Sequence, residues 1–363
     1  MSTPKQTILE IDLKTLTHNF DVISSKLSSN TKCMAVIKAG AYGSNMIKIA
    51  THLQKLDIDY FAVAYTHEGV LLREAHITKP ILVLHPLEAN FEMLITHHLE
   101  PNLYSFKTLQ GFIHTAKKKQ ITDYPVHLKW NTGLNRLGFS EHDVEHVASI
   151  LKTQNTIFAK YIFSHLAASE DVKESEFTKR QIQTFNAIAV HFSKIMGYMP
   201  MRHMCNTSGI FNYPEAHFDM VRTGIGLYGF GHTQLKPIGS LKTIISQIHN
   251  IKSGETIGYN RAFKSCACMK IATLPIGHAD GISRLYGNEK GYVIIKNKKA
   301  PIVGHVCMDM MMVDVTHIDC QEGDEVIIFN ATYTAEKLSE AVDSIPYELI
   351  TSISKRVKRI FYE

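Results

Sequence analysis

Lys38 closes an apolar run, 33–37, and is followed at once by the small, turn-forming segment Ala39-Gly40-Ala41-Tyr42-Gly43. A lysine held at the mouth of a buried strand sits in a partly dry setting, which lowers its pKa and frees the amine as a nucleophile. Lys129, His165, Asn206 and Arg222 recur in or at the ends of later apolar runs. The last two of those runs lead into small, polar or glycine-rich turns, Asn206-Thr207-Ser208-Gly209 and Thr223-Gly224-Ile225-Gly226, whose backbone N–H groups suit a phosphate. Each feature alone has a plainer use: a snorkelling lysine, a core histidine bonded to a carbonyl, an arginine in an ion pair, a tight turn. Together, an amine nucleophile opposite a phosphate cradle is the arrangement that pyridoxal phosphate requires, held covalently by the amine and anchored by its phosphate.

Such residues need elements that bring them to one place. Strand-like runs lie at 34–38, 60–65, 81–85, 102–105, 126–130, 160–165, 201–206 and 219–225, and amphipathic stretches such as 45–56, 140–153 and 174–196 lie between them. Strand–helix alternation on this scale predicts the α/β class and a (β/α)8 TIM-type barrel, whose reactive groups sit at the C-terminal ends of the strands. An open doubly wound sheet is the alternative, but no GxGxxG follows the first strand. After Gly231 helical periodicity fades and strand-like runs take over at 242–251, 268–275, 291–296, 301–315 and 324–329. A hairpin is expected to turn at Asn297-Lys298-Lys299, a helix to span 335–342, and a closing strand or basic helix to span 352–362. The predicted division is 1–13, an N-terminal strand joining the β domain; 14–231, the barrel; and 232–363, a mostly β C-terminal domain.

Composition excludes several classes. The 363 residues carry a formal net charge of +5 with the lysines spread along helical faces, so nucleic acid is not an implied partner. No stretch approaches the roughly 20 apolar residues of a membrane span, and the first twelve residues hold no apolar signal core, so the expected location is the cytoplasm. Six cysteines and 20 histidines show neither a disulfide framework nor a compact ligand cluster, so no metal is expected and reduced thiols are the default.

The stretch AVIKAGAYGSN resembles the pyridoxal-phosphate signature of the alanine racemase family, usually AVxKAxAYGHG. HLKWNTGLNRLGF, FSHLAASE, HMCNTSGI, VRTGIGLYGF, IGYNRAF, LPIGHADG, PIVGHVCMDMMMVDV and SISKRVKRI resemble further family segments in the family's order. The resemblance implies a homodimer of barrel plus β domain that interconverts L- and D-alanine with pyridoxal 5'-phosphate, supplying D-alanine for peptidoglycan. Carried over position by position, Lys38 would hold the cofactor and act as one base, and Tyr259 would be the opposite base, reaching into the partner subunit's barrel. Two bases are needed because a proton must leave one face of Cα and return to the other. Tyr42, His165, Asn206, Thr207, Arg222, Gly224 and Ile225 would bind the cofactor, with the guanidinium of Arg222 against the pyridine nitrogen. A group that practically never gives up its proton leaves that nitrogen unprotonated, which weakens the ring as an electron sink and disfavours transamination. Arg136 and the N–H of Met308 would hold the substrate carboxylate, while Lys129, often carbamylated in the family, and Asp309 would support them.

The chain also departs from the family pattern. Gly40, Asn131 and His278 stand where members more often have asparagine, aspartate and tyrosine, and Lys355 where some members have tyrosine. A racemase of broader substrate range is the nearest alternative. A decarboxylase of basic amino acids with the same architecture is the more distant one, and it would want an acidic group where Arg222 stands.

Overall fold

The computed structural model describes residues 6–363. Its first strand, β1 (Ile8–Asp12), leads directly into the helix Leu13–Ser24, capped by Asp12, whose carboxylate accepts from the Thr15 N–H at 2.9 Å. Eight parallel strands then close a barrel: β2 (Lys32–Val36), β3 (Tyr60–Val63), β4 (Ile81–Val83), β5 (Glu100–Leu103), β6 (Tyr124–Lys129), β7 (Ile157–Phe163), β8 (Met201–His203) and β9 (Met220–Thr223). Closure is visible at Met34, which pairs with Tyr60 on one side and Arg222 on the other. Every residue of β3, β4, β5 and β9 is buried, as expected of parallel strands covered outside by helices and filled inside by side chains.

The helices form because their apolar residues recur at helical spacing and their ends are marked. Met46–Lys55 buries Met46, Ile49, Ala50 and Leu53 on one face, and Asn45 caps it by accepting from the Lys48 N–H. Ser175–Met196 ends where Gly197 turns left-handed at φ 81°.

The remaining strands are β10 (Gly239–Ile244), β11 (Gln247–Ile251), β12 (Thr256–Ile257), β13 (Phe263–Lys264), β14 (Met269–Leu274), β15 (Tyr292–Ile295), β16 (Lys298–Val303), β17 (Met311–Asp314), β18 (Glu325–Phe329) and β19 (Lys358–Tyr362). One nine-stranded sheet has the order β11-β14-β17-β16-β15-β18-β10-β1-β19, and β12 pairs only with β13. In it β1 runs antiparallel to β10 and parallel to β19.

Four expectations need correction here. The run 301–315 is two strands, broken by the loop 304–310, where Gly304 takes φ 66° and the chain reverses to let β16 and β17 pair. The hairpin turns one residue earlier, at Lys296-Asn297, where both residues adopt the positive φ of a tight two-residue turn. A second helix, Pro346–Ser352, follows the one at Ala335–Glu340; proline at its first position hid it. The run 242–251 is likewise two strands, β10 and β11, while the closing segment, open between strand and basic helix, is the strand β19. No helix among the described residues is long and apolar enough to cross a membrane.

Candidate active site

The barrel rim is built first by a strained turn. β2 stops at Val36, so Lys38 lies two residues past its strand instead of closing it. Ala39, Gly40, Ala41 and Tyr42 follow with φ of 53°, 65°, 56° and 53°, a left-handed turn that costs about 1–2 kcal/mol per non-glycine residue. Glycine at position 40 fits this geometry, as the family's asparagine would. Glu68 holds the turn in place: its carboxylate accepts from the N–H of Ala39 at 2.8 Å and of Ala64 at 2.7 Å, tying the ends of β2 and β3 together. Burial, then the charge of Arg136, lowers the Lys38 pKa, with Glu68 opposing.

Around Lys38 stand cations. Lys129, the last residue of β6, is pushed down to about 7, first by burial and then by Arg222, Arg136 and Lys38. Arg222, from β9, is buried and fully directed. Its Nη1 donates to His203 Nδ1 at 2.6 Å, and its Nη2 to the carbonyls of Ser164 (2.8 Å) and Met204 (3.1 Å) and to His165 Nδ1 (3.0 Å). Among the described residues its Nε donates to nothing and Nη1 donates only to His203, which leaves the Nε N–H and one N–H of Nη1 for a ligand. Burial and the surrounding cations hold His165 well below the usual histidine range, so it is neutral. His165 lies two residues beyond β7 and Asn206 three beyond β8, so neither closes a strand as expected.

Arg136 is exposed and rides on a turn organised by Asn131, whose Oδ1 accepts from the N–H groups of Gly133 (3.2 Å) and Asn135 (3.0 Å). An amide oxygen performs that capping as a carboxylate would, so asparagine at 131 keeps the turn while removing a charge.

A group of unpaired backbone N–H donors belongs to the turn after β9. The N–H groups of Gly224 and Ile225 have no acceptor among the described residues, and the Gly226 N–H donates to Thr207 Oγ1 at 3.2 Å. A Cβ added at Gly224 would run into the Tyr42 hydroxyl, and one at Gly226 into Thr207, so both glycines are required by close approach. Tyr42 is buried and stacks on Tyr228 with ring centres 4.6 Å apart. Asn206 is placed differently from expectation: its Oδ1 caps the helix Thr207–Asn212 and takes the Ser169 hydroxyl at 2.6 Å, so it shapes the loop.

Tyr259, Met308 and Asp309 do not join this group. They line an open hollow of about 550 Å³ on the β domain, together with Gly258, Thr273 and Met310. Tyr259 is 67% exposed and Met308 59%, unusual for an aromatic and an apolar side chain, and the Met308 N–H has no acceptor among the described residues. Arg356 fixes this loop, bonding Asp309 at 2.7 Å and Asp280 at 2.6 and 3.0 Å.

Residues 11–231 match the alanine racemase N-terminal domain family and residues 238–361 the alanine racemase C-terminal domain family. The chain belongs to the alanine racemase family. A curated alanine racemase from Thermodesulfovibrio yellowstonii is 35% identical over 96% of each chain, and one from Halothermothrix orenii is 34% identical over 98% of this chain and 96% of its own. Among solved structures, an alanine racemase from Clostridium difficile superposes with a TM-score of 0.92 at 32% identity, covering all of this chain and 97% of its own. One from Bartonella henselae, described with covalently bound pyridoxal phosphate, gives 0.91 at 31% identity, covering 99% of this chain and all of its own.

Several residues of this family member that organise the site escape sequence reasoning. Glu68 falls in a helix's first turn, where an acid is ordinary, and only the backbone N–H groups it collects reveal its use. Arg356 lies inside the SISKRVKRI segment beside another cation, Lys355, which is exposed and makes no ion pair among the described residues, and only the bonds from Arg356 to Asp280 and Asp309 set it apart. His203, in β8, reads as a strand residue until Arg222 is seen donating to it.

Proposed function

We propose that this enzyme, an alanine racemase by family, interconverts L- and D-alanine with pyridoxal 5'-phosphate between two opposed bases, Lys38 and the partner subunit's Tyr259, in a homodimer that supplies D-alanine for peptidoglycan. The observation that carries the reading is Arg222, a buried guanidinium held through both terminal nitrogens, whose Nε makes no bond among the described residues and is left for a ligand. A decarboxylase would want an acid there, and a carboxylate is not what this position offers.

The residues present fit the cofactor. Tyr42, Thr207 and the free N–H groups of Gly224 and Ile225 would take the phosphate, with close-packed glycines leaving room for it; Asn206 would act through the loop it caps; and Lys38 would be the attachment point. When bound, pyridoxal phosphate supplies an electron sink that acidifies the Cα–H of an attached amino acid.

The chain supplies the rest. The desolvated Lys38 amine takes or gives a proton at Cα on one face. The partner subunit's Tyr259 does so on the other, and its exposure here suits a side chain meant for another subunit. His165, with Nδ1 occupied by Arg222, carries its proton on Nε2 and can donate toward that tyrosine, favouring phenolate over phenol. Arg136, which makes no ion pair with a carboxylate among the described residues, would bind the substrate's, with the partner subunit's Met308 N–H beside it; Asp309 keeps that N–H in place through Arg356. Lys129, largely able to shed its proton near neutrality, can attack carbon dioxide: the amine nitrogen bonds to carbon, a C=O electron pair moves to oxygen, and a proton leaves to solvent. The resulting carbamate would place an anion amid three cationic groups, Arg222, Arg136 and Lys38, and steer Arg136. The test is spectroscopic and isotopic: purified protein should show the bound-cofactor absorption band and exchange the alanine Cα hydrogen with deuterated solvent. No exchange from a panel of small amino acids would sink the reading.

A further inference from the structure

Arg222 pairs with no carboxylate among the described residues, yet one anion is joined to it by hydrogen bonds. Arg222 Nη1 donates to His203 Nδ1 at 2.6 Å, His203 Nε2 lies 3.1 Å from His127 Nδ1, and His127 Nε2 lies 2.7 Å from Glu100 Oε2. The direction of every proton follows from the ends. Arginine only donates, so His203 Nδ1 accepts; a neutral His203 then carries its proton on Nε2 and donates to His127 Nδ1; His127 in turn donates from Nε2 to the carboxylate. Burial and nearby cations keep His203 well below the usual histidine range, and burial lowers His127 despite Glu100, so both rings are neutral.

The row runs the length of the barrel interior. Arg222 is near the C-terminal end of β9 and His203 ends β8, His127 is midway along β6, and Glu100 is the first residue of β5. At that far end Glu100 also accepts from the Tyr60 hydroxyl at 2.7 Å and from Lys160 at 2.9 Å, and Lys160 reaches solvent with 26% of its side chain exposed. Burial opposes ionisation of Glu100, but His127, Lys160 and Tyr60 outweigh it and hold its pKa down to about 2. Filling the barrel needs none of this. Met34, Ala62, Leu82 and Met220 pack its interior with apolar atoms, whereas a buried ion pair gains little net stability against desolvation.

We propose that Glu100 is a positioning residue that, through His127 and His203, fixes the orientation of Arg222 and with it the aim of Arg222 Nε at the cofactor's ring nitrogen. The proposal rests on the function proposed above. A carboxylate at the end of a polarised row makes each imidazole a better acceptor for the donor before it, so an anion at the closed end of the barrel stiffens a cation at the open end. Around His203 the other charged or titratable groups are Lys129 and Tyr161, and around His127 they are Lys160, Tyr60 and Tyr161.

The test combines one measurement on the wild-type holoenzyme with two variants. Nitrogen-15 NMR of labelled histidines should find His127 and His203 neutral and protonated only on Nε2 across about pH 6 to 9. Protonation of either Nδ1 in that range overturns the proposal. Glu100→Gln should lower kcat about tenfold or more with little change in KM, and should make the absorption band of the bound cofactor vary with pH where the wild-type band is constant. Tyr60→Phe, which removes a different hydrogen bond to the same carboxylate, should leave kcat and band unchanged. An unchanged Glu100→Gln enzyme, or a Tyr60→Phe enzyme that reproduces both effects, overturns the proposal. A wild-type protein with neither band nor racemisation would instead sink the functional reading, while the tautomer measurement still decides the relay.

Discussion

Arg222 Nη2 lies 3.0 Å from His165 Nδ1, and because arginine can only donate, that contact decides which nitrogen of His165 is bare. The proton left on Nε2 is then available on the opposite edge of the ring. One guanidinium therefore serves two jobs, holding an N–H toward the barrel mouth and setting the tautomer of a neighbour.

Arg222→Lys should break this double role. A lysine brings a single point charge and cannot bond His203, His165 and two carbonyls while presenting a further N–H. Racemisation should fall by about 10²-fold or more, with the cofactor still bound. Initial rates and the absorption band, measured together, check it.

Lys129 should take up carbon dioxide in a pH-dependent way. Its folded pKa of about 7 lies below the ordinary lysine value, so the neutral amine grows as pH rises through 7. A carbamate signal from ¹³C-labelled bicarbonate should therefore rise between about pH 6 and 8 and vanish in Lys129→Ala. Absence of the signal at pH 8 would remove the anion from the account of Arg136.

Gly224→Ala should weaken cofactor retention. The new methyl group meets the Tyr42 hydroxyl, so Tyr42 or the loop must move, at about 1–3 kcal/mol. Dialysis against a carbonyl-trapping amine should strip the variant faster than the wild type.

Arg356→Gln should act on substrate binding. It unties Asp309 from Asp280 and loosens the loop that presents Met308, without touching the barrel rim. KM for alanine should rise by a larger factor than kcat falls.

Glu100 should also mark the acid limb of stability. Its folded pKa is depressed to about 2 from an unfolded value near 4.5, so the stabilisation is fully present above 4.5 and is lost as pH falls toward 2. The denaturation midpoints of wild type and Glu100→Gln should converge over that window.

Much of this was legible in the sequence, for physical reasons. The barrel strands were readable because parallel strands buried on both faces are continuous apolar runs, and Arg222 and the glycines of TGIG stood out at their ends. Lys38 and His165 each lie two residues past the ends of their strands, and at Lys38 the left-handed turn at 39–42 leaves no periodic signal to mark that end. The split of 301–315 was hidden because VGHVCMDMMM carries apolar residues straight through the loop that bears Met308. Glu100 and His127 were invisible as a pair, because they lie on different strands and only the closed barrel brings them to 2.7 Å.

The central claim is that Lys38 and the partner subunit's Tyr259 work on opposite faces of Cα. The most direct measurement follows Cα deuterium incorporation from L-alanine and from D-alanine, separately, in the wild type and in Tyr259→Phe. The account predicts that the wild type exchanges both and forms the opposite enantiomer, whereas Tyr259→Phe keeps the cofactor band, stops racemising, and loses exchange chiefly from one enantiomer. A Tyr259→Phe enzyme that racemises at the wild-type rate would contradict it.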